Sequence, residues 1–277
     1  MTDKDPAGDA TERLLRLMAM LRDPEHGCRW DLKQRMDTLT SHTLEEVHEV
    51  IDAVENGSPQ DIRGELGDLL FQVVFYARIA SEKGWFDFSD VADGVFTKLV
   101  SRHPHVFPDG TLDSFGQPQE KMAAGQVENN WEAIKNAERE RGAAGPVSVM
   151  DDVPRALPAL QRAAKLQKRA ASVGFDWSDS GSVLDKVQEE LDELREAIRS
   201  GESSRQSDEL GDLLFTCVNL SRHLKVDIEQ SVRGCNRRFE QRFRDLERQA
   251  RDGGESPGSA SMETLEDWWR QARENTV

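Results

Sequence analysis

The chain has 277 residues, and its 52 Asp and Glu against 36 Lys and Arg give a formal charge of -16 and a pI near 4.9. This charge-rich composition is typical of a globular protein with one large or two small domains, and it disfavours nucleic-acid binding, which needs clustered basic residues. No run approaches the roughly 18 apolar residues of a membrane span, the N-terminus lacks the apolar region of a signal peptide, and the three cysteines form neither a zinc nor a disulfide pattern. We therefore expect a cytoplasmic protein that binds neither nucleic acid nor membranes.

The first half of the chain has the pattern of successive helices, without sustained β alternation. Apolar residues keep a helical period through 44–54 and again through 66–77. The Asn-Gly pair at 56–57 predicts the end of the first helix, and Ser58-Pro59 supplies an N-cap and a first-turn proline for the second. We therefore predict a helix hairpin whose short turn lies at 56–59.

The second half of the chain repeats the first. Segment 44–71 aligns without a gap on 188–215, and both contain the sequence Gly-Asp-Leu-Leu-Phe. The aligned acids are Glu45, Glu46, Glu49, Glu65 and Asp68 in the first copy and Glu189, Glu190, Glu193, Glu209 and Asp212 in the second. Such self-similarity indicates two copies of one structural unit.

The repeat and the helical periods together define the predicted fold. We expect an all-α chain of two homologous helical-bundle domains, 1–140 and 155–277, each built round an antiparallel hairpin of carboxylate-bearing helices. The Gly- and Pro-containing segment 141–154 has the composition of a linker between them.

The acids of each repeat are spaced Glu-x-x-Glu and then Glu-x-x-Asp. Residues three apart lie on one helix face, so Glu190 with Glu193, and Glu209 with Asp212, project as pairs that the turn at Gly201 can bring face to face. Four crowded carboxylates need a cation to remain ionised, and a hard divalent ion such as Mg²⁺ prefers oxygen ligands. We expect an apolar flank, Leu210, Leu213, Leu214, Phe215 and Val218, to support the hairpin from behind.

Three other interpretations compete with a magnesium site. A single acidic helix in a chain this charged is more often a solvated surface, although the repetition at identical spacing weakens that interpretation. A di-iron site needs Glu-x-x-His on two helices, and only Glu45-x-x-His48 has that form. A non-enzymatic helical module that senses nucleotides or binds a regulatory protein partner remains open as the alternative to an enzyme.

At these motifs the chain resembles the MazG-type nucleoside triphosphate pyrophosphohydrolases of the all-α NTP pyrophosphatase superfamily, in their tandem two-domain form. The resemblance rests on EExxE followed by ELGDLLF, on Cys28-Arg29-Trp30-Asp31, on RHPHVF at 102–107, on GFDW at 174–177 and on VNLSRHL at 218–224. It implies a homodimeric enzyme that uses Mg²⁺, with Mn²⁺ as a substitute, to hydrolyse NTPs or dNTPs to monophosphates and pyrophosphate. It also implies that the C-terminal domain is the principal catalytic one.

The resemblance also implies roles for individual residues. The metal ligands would be Glu190, Glu193, Glu209 and Asp212, with Glu46, Glu49, Glu65 and Asp68 as the corresponding N-terminal set. Glu189 would contact a second metal or position the attacking water, and Lys186, Asn219, Arg238, Arg242 and Trp269 would bind the substrate. The family commonly has Lys where Arg238 stands, so charge is retained with a different geometry.

The N-terminal copy differs from the second at one of the candidate substrate-binding positions. Its acids and its basic pair, Lys98 and Arg102, are intact, but His42 replaces the lysine of the second copy. An imidazole is a weaker phosphate anchor than an ammonium at pH 7, which favours the C-terminal site. His103 and His105 have no apparent third ligand, so we expect a structural or interface role for them.

Overall fold

The computed structural model describes residues 6–117 and 148–275, together with 122, 125–127, 130–131, 134–135, 138 and 145. The chain divides into two compact units, Met1–Arg141 and Gly142–Val277. The finer partition into domains ending at 140 and beginning at 155 stays a prediction, because residues 141–144, 146 and 147 of the predicted linker lie outside the described part.

The secondary structure of the N-terminal unit is helical, with no strand among its described residues. Its elements are α1 (Pro6–Leu21), α2 (Arg29–Lys33), α3 (Thr40–Asn56), α4 (Pro59–Glu82), α5 (Phe88–Arg102) and a short 3-10 turn (Leu112–Ser114). Helix α4 is the centre of the unit, since α1, α3 and α5 all pack against it. The buried core consists of Met18, Leu39, Val74, Phe75 and Ile79.

The start of α4 confirms the helix signals in the sequence. Ser58 accepts a hydrogen bond from the backbone of Asp61, and the Asp61 carboxylate accepts one from the backbone of Ser58, which completes a capping box ahead of Pro59. A cap of this kind stabilises a helix by roughly 1 kcal/mol. The antiparallel hairpin of α3 and α4 is thereby held at its turn.

The C-terminal unit repeats this architecture. Its helices are α6 (Ala159–Ala171), α7 (Ser180–Ser200), α8 (Ser203–His223), α9 (Ile228–Asp252) and α10 (Met262–Asn275). Helices α7 and α8 form the hairpin, α6 packs on α8 and α9, and α10 packs on α9. The prediction of an all-α chain with two repeated helical units is therefore confirmed.

The turn between α7 and α8 depends on Gly201. This residue adopts φ 74° and ψ 10°, the left-handed conformation that glycine enters without steric cost. The chain reverses within two residues, which places the acids of α7 opposite those of α8. The predicted role of Gly201 is confirmed.

The predicted apolar support of this hairpin is only partly correct. Val218 is buried and Leu213 is half-buried, but Leu210, Leu214 and Phe215 are 43 to 50% exposed. An apolar stripe on a helix predicts that this face is shielded from water. Within the C-terminal unit, α6 and α7 pack against α8 but cover only part of its apolar face. The uncovered part remains an apolar surface.

None of the described helices combines the length and apolarity needed to cross a membrane.

Candidate metal and nucleotide site

Three carboxylates meet inside the α7–α8 hairpin. Glu190 and Glu193 project from α7 and Glu209 from α8, and one ligand oxygen from each lies within 4.8 Å of the others. Glu190 is only 6% exposed, while the other two are half-buried. The structure thus brings together three of the four metal ligands that the sequence predicted for this half.

Asp212 is not part of this triad. It follows Glu209 by less than one helical turn, and its side chain is exposed. Three residues advance an α-helix by about 300°, so Asp212 is rotated by about 60° from the direction of Glu209. Its predicted role as a fourth ligand stays a prediction.

Basic side chains of the same hairpin pair with the acids. The Lys186 ammonium donates to Glu189 Oε1 and Glu190 Oε1, each at 2.9 Å. Arg205 lies 3.4 Å from Glu209 Oε1 and 3.4 Å from Glu196 Oε2. Arg205 was absent from the sequence prediction, although its spacing of four residues before Glu209 is a known signal for a helical ion pair.

The electrostatics of the site reflect this crowding. Loss of hydration and the charges of Glu209 and Glu190 raise the pKa of the Glu193 carboxyl, with Lys186 acting in the opposite direction. Hydrogen bonds to Glu189 and then Glu190 raise the pKa of Lys186 above its usual range. The site therefore combines a fixed ammonium with carboxylates that repel one another, which is an environment that accepts a divalent cation.

The N-terminal hairpin carries a corresponding triad. Glu46 and Glu49 of α3 and Glu65 of α4 also have ligand oxygens within 4.8 Å of one another. Burial first, and then the charges of Asp68 and Glu49, raise the pKa of Glu46. Asp68 is exposed like Asp212 and lies outside the triad, but its charge acts on the cluster.

The sequence prediction also missed Gln72. This α4 side chain is 6% exposed, and its amide nitrogen lies 3.4 Å from Glu46 Oε1. Its amide oxygen is buried without a hydrogen-bond partner. Glutamine is common on helices, so no sequence signal identified this residue.

Two predicted substrate-binding residues lie on α9. Arg238 is exposed, and Arg242, one turn later, is half-buried with a buried Nε that has no hydrogen-bond partner among the described residues. The ring of Trp269, on α10, lies 5.2 Å from Phe239, which lies between the two arginines in sequence. Arg238, Arg242 and Trp269 therefore belong to one pair of packed helices, α9 and α10.

Asn219 occupies a different position. It is 2% exposed, and its amide oxygen accepts a hydrogen bond from Arg222 at 3.0 Å. Arg222 also pairs with Asp176, in the GFDW turn, and Asp176 lies 3.2 Å from the ring of His223. A nucleoside would reach Asn219 only after Arg222 moved.

The remaining N-terminal residues have partners of their own. Arg102 pairs with Glu138, Lys98 is exposed, and His42 lies 3.8 Å from Glu45. The His103 and His105 rings are 5.6 Å apart, and His103 contacts Trp131 edge-on at 4.9 Å. These ring contacts are consistent with the structural role expected for the two histidines.

Two homologous helical units, each with a carboxylate triad in a helix hairpin, define a tandem all-α protein with two candidate cation sites. The sequence profile of the MazG nucleotide pyrophosphohydrolase domain matches residues 34–107 and 179–246, and each match contains one triad. The chain is 45% identical to a nucleoside triphosphate pyrophosphohydrolase of Escherichia coli K12 over 96% of its length and 98% of that protein. It is 38% identical to the nucleoside triphosphate pyrophosphohydrolase/pyrophosphatase MazG of Thermotoga maritima over 96% of its length and 97% of that protein. The chain therefore belongs to the MazG nucleotide pyrophosphohydrolase family and is a hydrolase, which confirms the resemblance seen in its sequence.

Proposed function

We propose that this chain hydrolyses NTPs and dNTPs to the monophosphates and pyrophosphate, with Mg²⁺, at the triad Glu190, Glu193 and Glu209. The observation that carries the proposal is the convergence of these three carboxylates beside the ammonium of Lys186. Relatives covering nearly the whole chain are named for this activity. Nucleotide-pool housekeeping or regulation in the cytoplasm is the role we propose for it.

The residues of the triad fit a magnesium ion. Magnesium takes oxygen ligands, usually one or two carboxylates with waters and substrate phosphates, and Mn²⁺ accepts the same donors. When bound, Mg²⁺ supplies positive charge that neutralises the triphosphate and makes a bound water more acidic. Asp212 would join the ligands after a change of its rotamer, and Glu46, Glu49, Glu65 and Asp68 are the corresponding acids of the other half.

The side chains of the chain itself would bind and orient the nucleotide. Lys186 would exchange its carboxylate partners for phosphate oxygens, and Arg238 and Arg242 would add two further cationic contacts from α9. Trp269 would provide an apolar surface for the nucleoside, and Asn219 would contact it once Arg222 is displaced. Together these contacts would hold the α-phosphorus near the triad.

Glu189 would act on the attacking water. Its carboxylate is largely exposed and lies beside Glu190, with Lys186 as their shared partner. The water oxygen forms a bond to the α-phosphorus, its proton passes to Glu189, and the bond from the α-phosphorus to the bridging oxygen breaks. The leaving group is pyrophosphate, and the other product is the nucleoside monophosphate.

A nucleotide panel tests this proposal. The purified chain is incubated with each common NTP and dNTP in Mg²⁺, in Mn²⁺ or in chelator, and the products are separated by ion-exchange chromatography. We expect monophosphate and pyrophosphate in equal amounts with either metal and none with chelator. Absence of monophosphate from the whole panel would favour the alternative of a nucleotide-sensing or protein-binding module. Release of orthophosphate would show that water attacks a phosphorus other than the α-phosphorus.

We further propose that the chain forms a homodimer. Large apolar residues are exposed on the hairpins of both units, including Leu66 and Leu70 on α4 and Leu210 and Leu214 on α8. Exposed apolar surface of this extent on helix faces is typical of protein interfaces, and a second copy of the chain offers the same apolar helices.

A further inference from the structure

A cavity of about 350 Å³ lies in the C-terminal unit between α6, the end of α8 and the start of α9. Its walls combine three cations with three apolar side chains, namely Lys165, Lys168, Arg222, Ala164, Val226 and Ile228. Arg222 lies on α8 well beyond Glu209, and the rise of 1.5 Å per residue separates the two by about 20 Å along the helix axis. The cavity is therefore distinct from the carboxylate triad.

The cavity has an excess of positive charge, although the net charge of the chain is -16. Helix α6 carries no acid and four basic residues, Arg162, Lys165, Lys168 and Arg169. The one acid among the residues that line the cavity is Asp227, whose carboxylate accepts a hydrogen bond from the backbone of Gln230 as the N-cap of α9. The first turn of α9 adds the positive end of its helix dipole. The walls therefore attract an anion.

The guanidinium of Arg222 is only partly engaged. All of its hydrogen bonds to described residues use Nη2, which donates to Asp176 and, at 3.0 Å, to Asn219. Its Nε is buried and has no hydrogen-bond partner there. A buried donor without a partner is costly and uncommon in a folded chain. Arg222 thus retains capacity for a further acceptor.

The N-terminal copy shows what the aligned arginine holds. Arg78 aligns with Arg222 and borders a corresponding but smaller cavity, of about 160 Å³. Its Nε donates to the carboxylate of Glu82 at 2.8 Å, and Arg22 donates to the same carboxylate at 2.7 Å. In this copy the chain itself supplies a carboxylate to the arginine.

The C-terminal copy lacks that carboxylate because the chain is shorter at this point. Segment 44–71 aligns on 188–215 with an offset of 144, whereas 86–102 aligns on 226–242 with an offset of 140. The difference of four residues is about one helical turn. Helix α4 accordingly continues to Glu82, while α8 ends at His223. The missing turn removes the glutamate and leaves Arg222 beside the larger cavity.

We propose that this cavity binds a small dicarboxylic acid. One carboxylate pairs with Arg222 as Glu82 pairs with Arg78, since a guanidinium and a carboxylate form strong charge-assisted hydrogen bonds. The two lysines of α6 neutralise the second carboxylate, and a short hydrocarbon body packs on the apolar wall. A cavity of about 350 Å³ is within the range of small-molecule sites.

The test is calorimetry of the metal-stripped full-length chain with glutarate, in the absence of nucleotide. We expect one glutarate to bind per chain, valerate with its single carboxylate to bind about tenfold more weakly or worse, and uncharged glutaramide not to bind. Failure of glutarate to bind at millimolar concentration would overturn the proposal. Equally tight binding of inorganic phosphate would overturn it as well, because the cavity would then accept any anion.

Three variants locate the binding site. Val226→Glu, at a half-exposed position, gives the cavity wall a carboxylate of its own and is expected to abolish glutarate binding. Lys165→Gln is expected to weaken binding by about fivefold, because an exposed charge contributes modestly. The matched control Arg238→Gln removes a cation of the proposed nucleotide site and is expected to retain binding. If Arg238→Gln abolishes binding while the other two variants retain it, the proposal is wrong.

Arg222 also connects the cavity with Asn219, whose amide oxygen it engages. A diacid that draws the guanidinium towards the cavity frees this amide for the nucleoside, a consequence that rests on the proposed function. We expect saturating glutarate to lower the KM for NTP without changing kcat in the wild-type chain, and to have no effect in Val226→Glu. An unchanged KM would contradict this coupling, whereas the titrations without nucleotide test the binding site independently of activity.

Discussion

At the scale of single residues, Glu209 and Glu65 are matched acids in the two hairpins. We expect Glu209→Gln to lower the turnover of NTP by about 100-fold or more, equivalent to about 2.7 kcal/mol, because the amide removes the charge of a proposed metal ligand with little change in volume. The measurement is pyrophosphate release at saturating nucleotide and Mg²⁺. Glu65→Gln is the control, expected to change turnover by less than about threefold, and the opposite ranking would assign catalysis to the N-terminal half.

A second residue of interest is Arg22, a buried guanidinium in the N-terminal unit. It is 7% exposed, donates to both oxygens of Glu82 and to the backbone oxygen of Asp31, and lies 5.5 Å from the centre of the Phe75 ring. We expect Arg22→Met to lower the free energy of unfolding by about 3 kcal/mol, because Glu82 is left half-buried with Arg78 as its one basic partner among the described residues. Urea denaturation, followed through the unfolding transition of the N-terminal unit, measures this loss. A change under about 0.5 kcal/mol would show that the Arg22–Glu82 pair contributes nothing to stability.

The same ion pair gives a pH dependence. Burial raises the pKa of Glu82, but the hydrogen bonds from Arg22 and Arg78 outweigh it, so the folded pKa lies below the ordinary value. A carboxyl with a depressed folded pKa adds stability above its unfolded pKa, near 4.3 for glutamate, and loses it as the pH falls through the folded value. We expect Glu82→Gln to abolish part of the decrease in unfolding free energy below about pH 4.5, measured by denaturation at a series of pH values. An identical slope in both proteins would contradict this assignment.

At the scale of the elements, the two hairpin turns use glycine for different reasons. Gly201 has a left-handed backbone and open space where a Cβ would lie. Gly57 has an extended backbone, but a Cβ there would lie 2.8 Å from the carbonyl oxygen of Ala53. Homologous turns have therefore diverged in geometry while conserving the residue between the two copies.

This contrast predicts that asparagine costs more stability at one turn than at the other. Asparagine tolerates the left-handed region, so Gly201→Asn is expected to cost less than about 1 kcal/mol, and Gly201→Ala about 1 kcal/mol. Gly57→Asn is expected to cost more than Gly201→Asn, because its Cβ must displace backbone atoms. Thermal unfolding of the three variants measures the order, and equal costs for the two asparagine variants would be inconsistent with it.

The sequence predicted the two hairpins and indicated which acids lie on the facing surfaces of their helices. Periodicity, the capping signals at Ser58 and the turn at Gly201 are local properties, and local properties can be seen in sequence. The exposed position of Asp212 and the buried position of Asn219 could not be predicted, since both depend on how each helix rotates against its neighbours. The four-residue spacing of Arg205 and Glu209 is a known ion-pair signal, but it recurs at other charged pairs of this chain and so did not single out Arg205.

At the scale of the whole molecule, apolar surface remains exposed on both units. Leu70 on α4 and Leu214 on α8 are aligned in the repeat and are 46% and 50% exposed. We expect the chain to sediment as a dimer, and the double variant Leu70→Glu/Leu214→Glu to shift it toward the monomer at micromolar concentration, because buried carboxylates are costly to desolvate. Gln60→Glu, which adds a charge at an exposed position of α4, is the matched control, and a monomeric wild-type chain would refute the proposed dimer.

The pairing of Lys186 with Glu189 and Glu190 has a consequence for folding kinetics. These partners are three and four residues apart, so the ion pairs form with the helix itself, within about a microsecond, and need no long loop to close. The α7–α8 hairpin is equally local in sequence, and it brings its carboxylates together before distant parts of the chain have found each other. We expect α7 to meet α8 with the Lys186 ammonium already beside its acids, whereas α3 has His42 at the corresponding position.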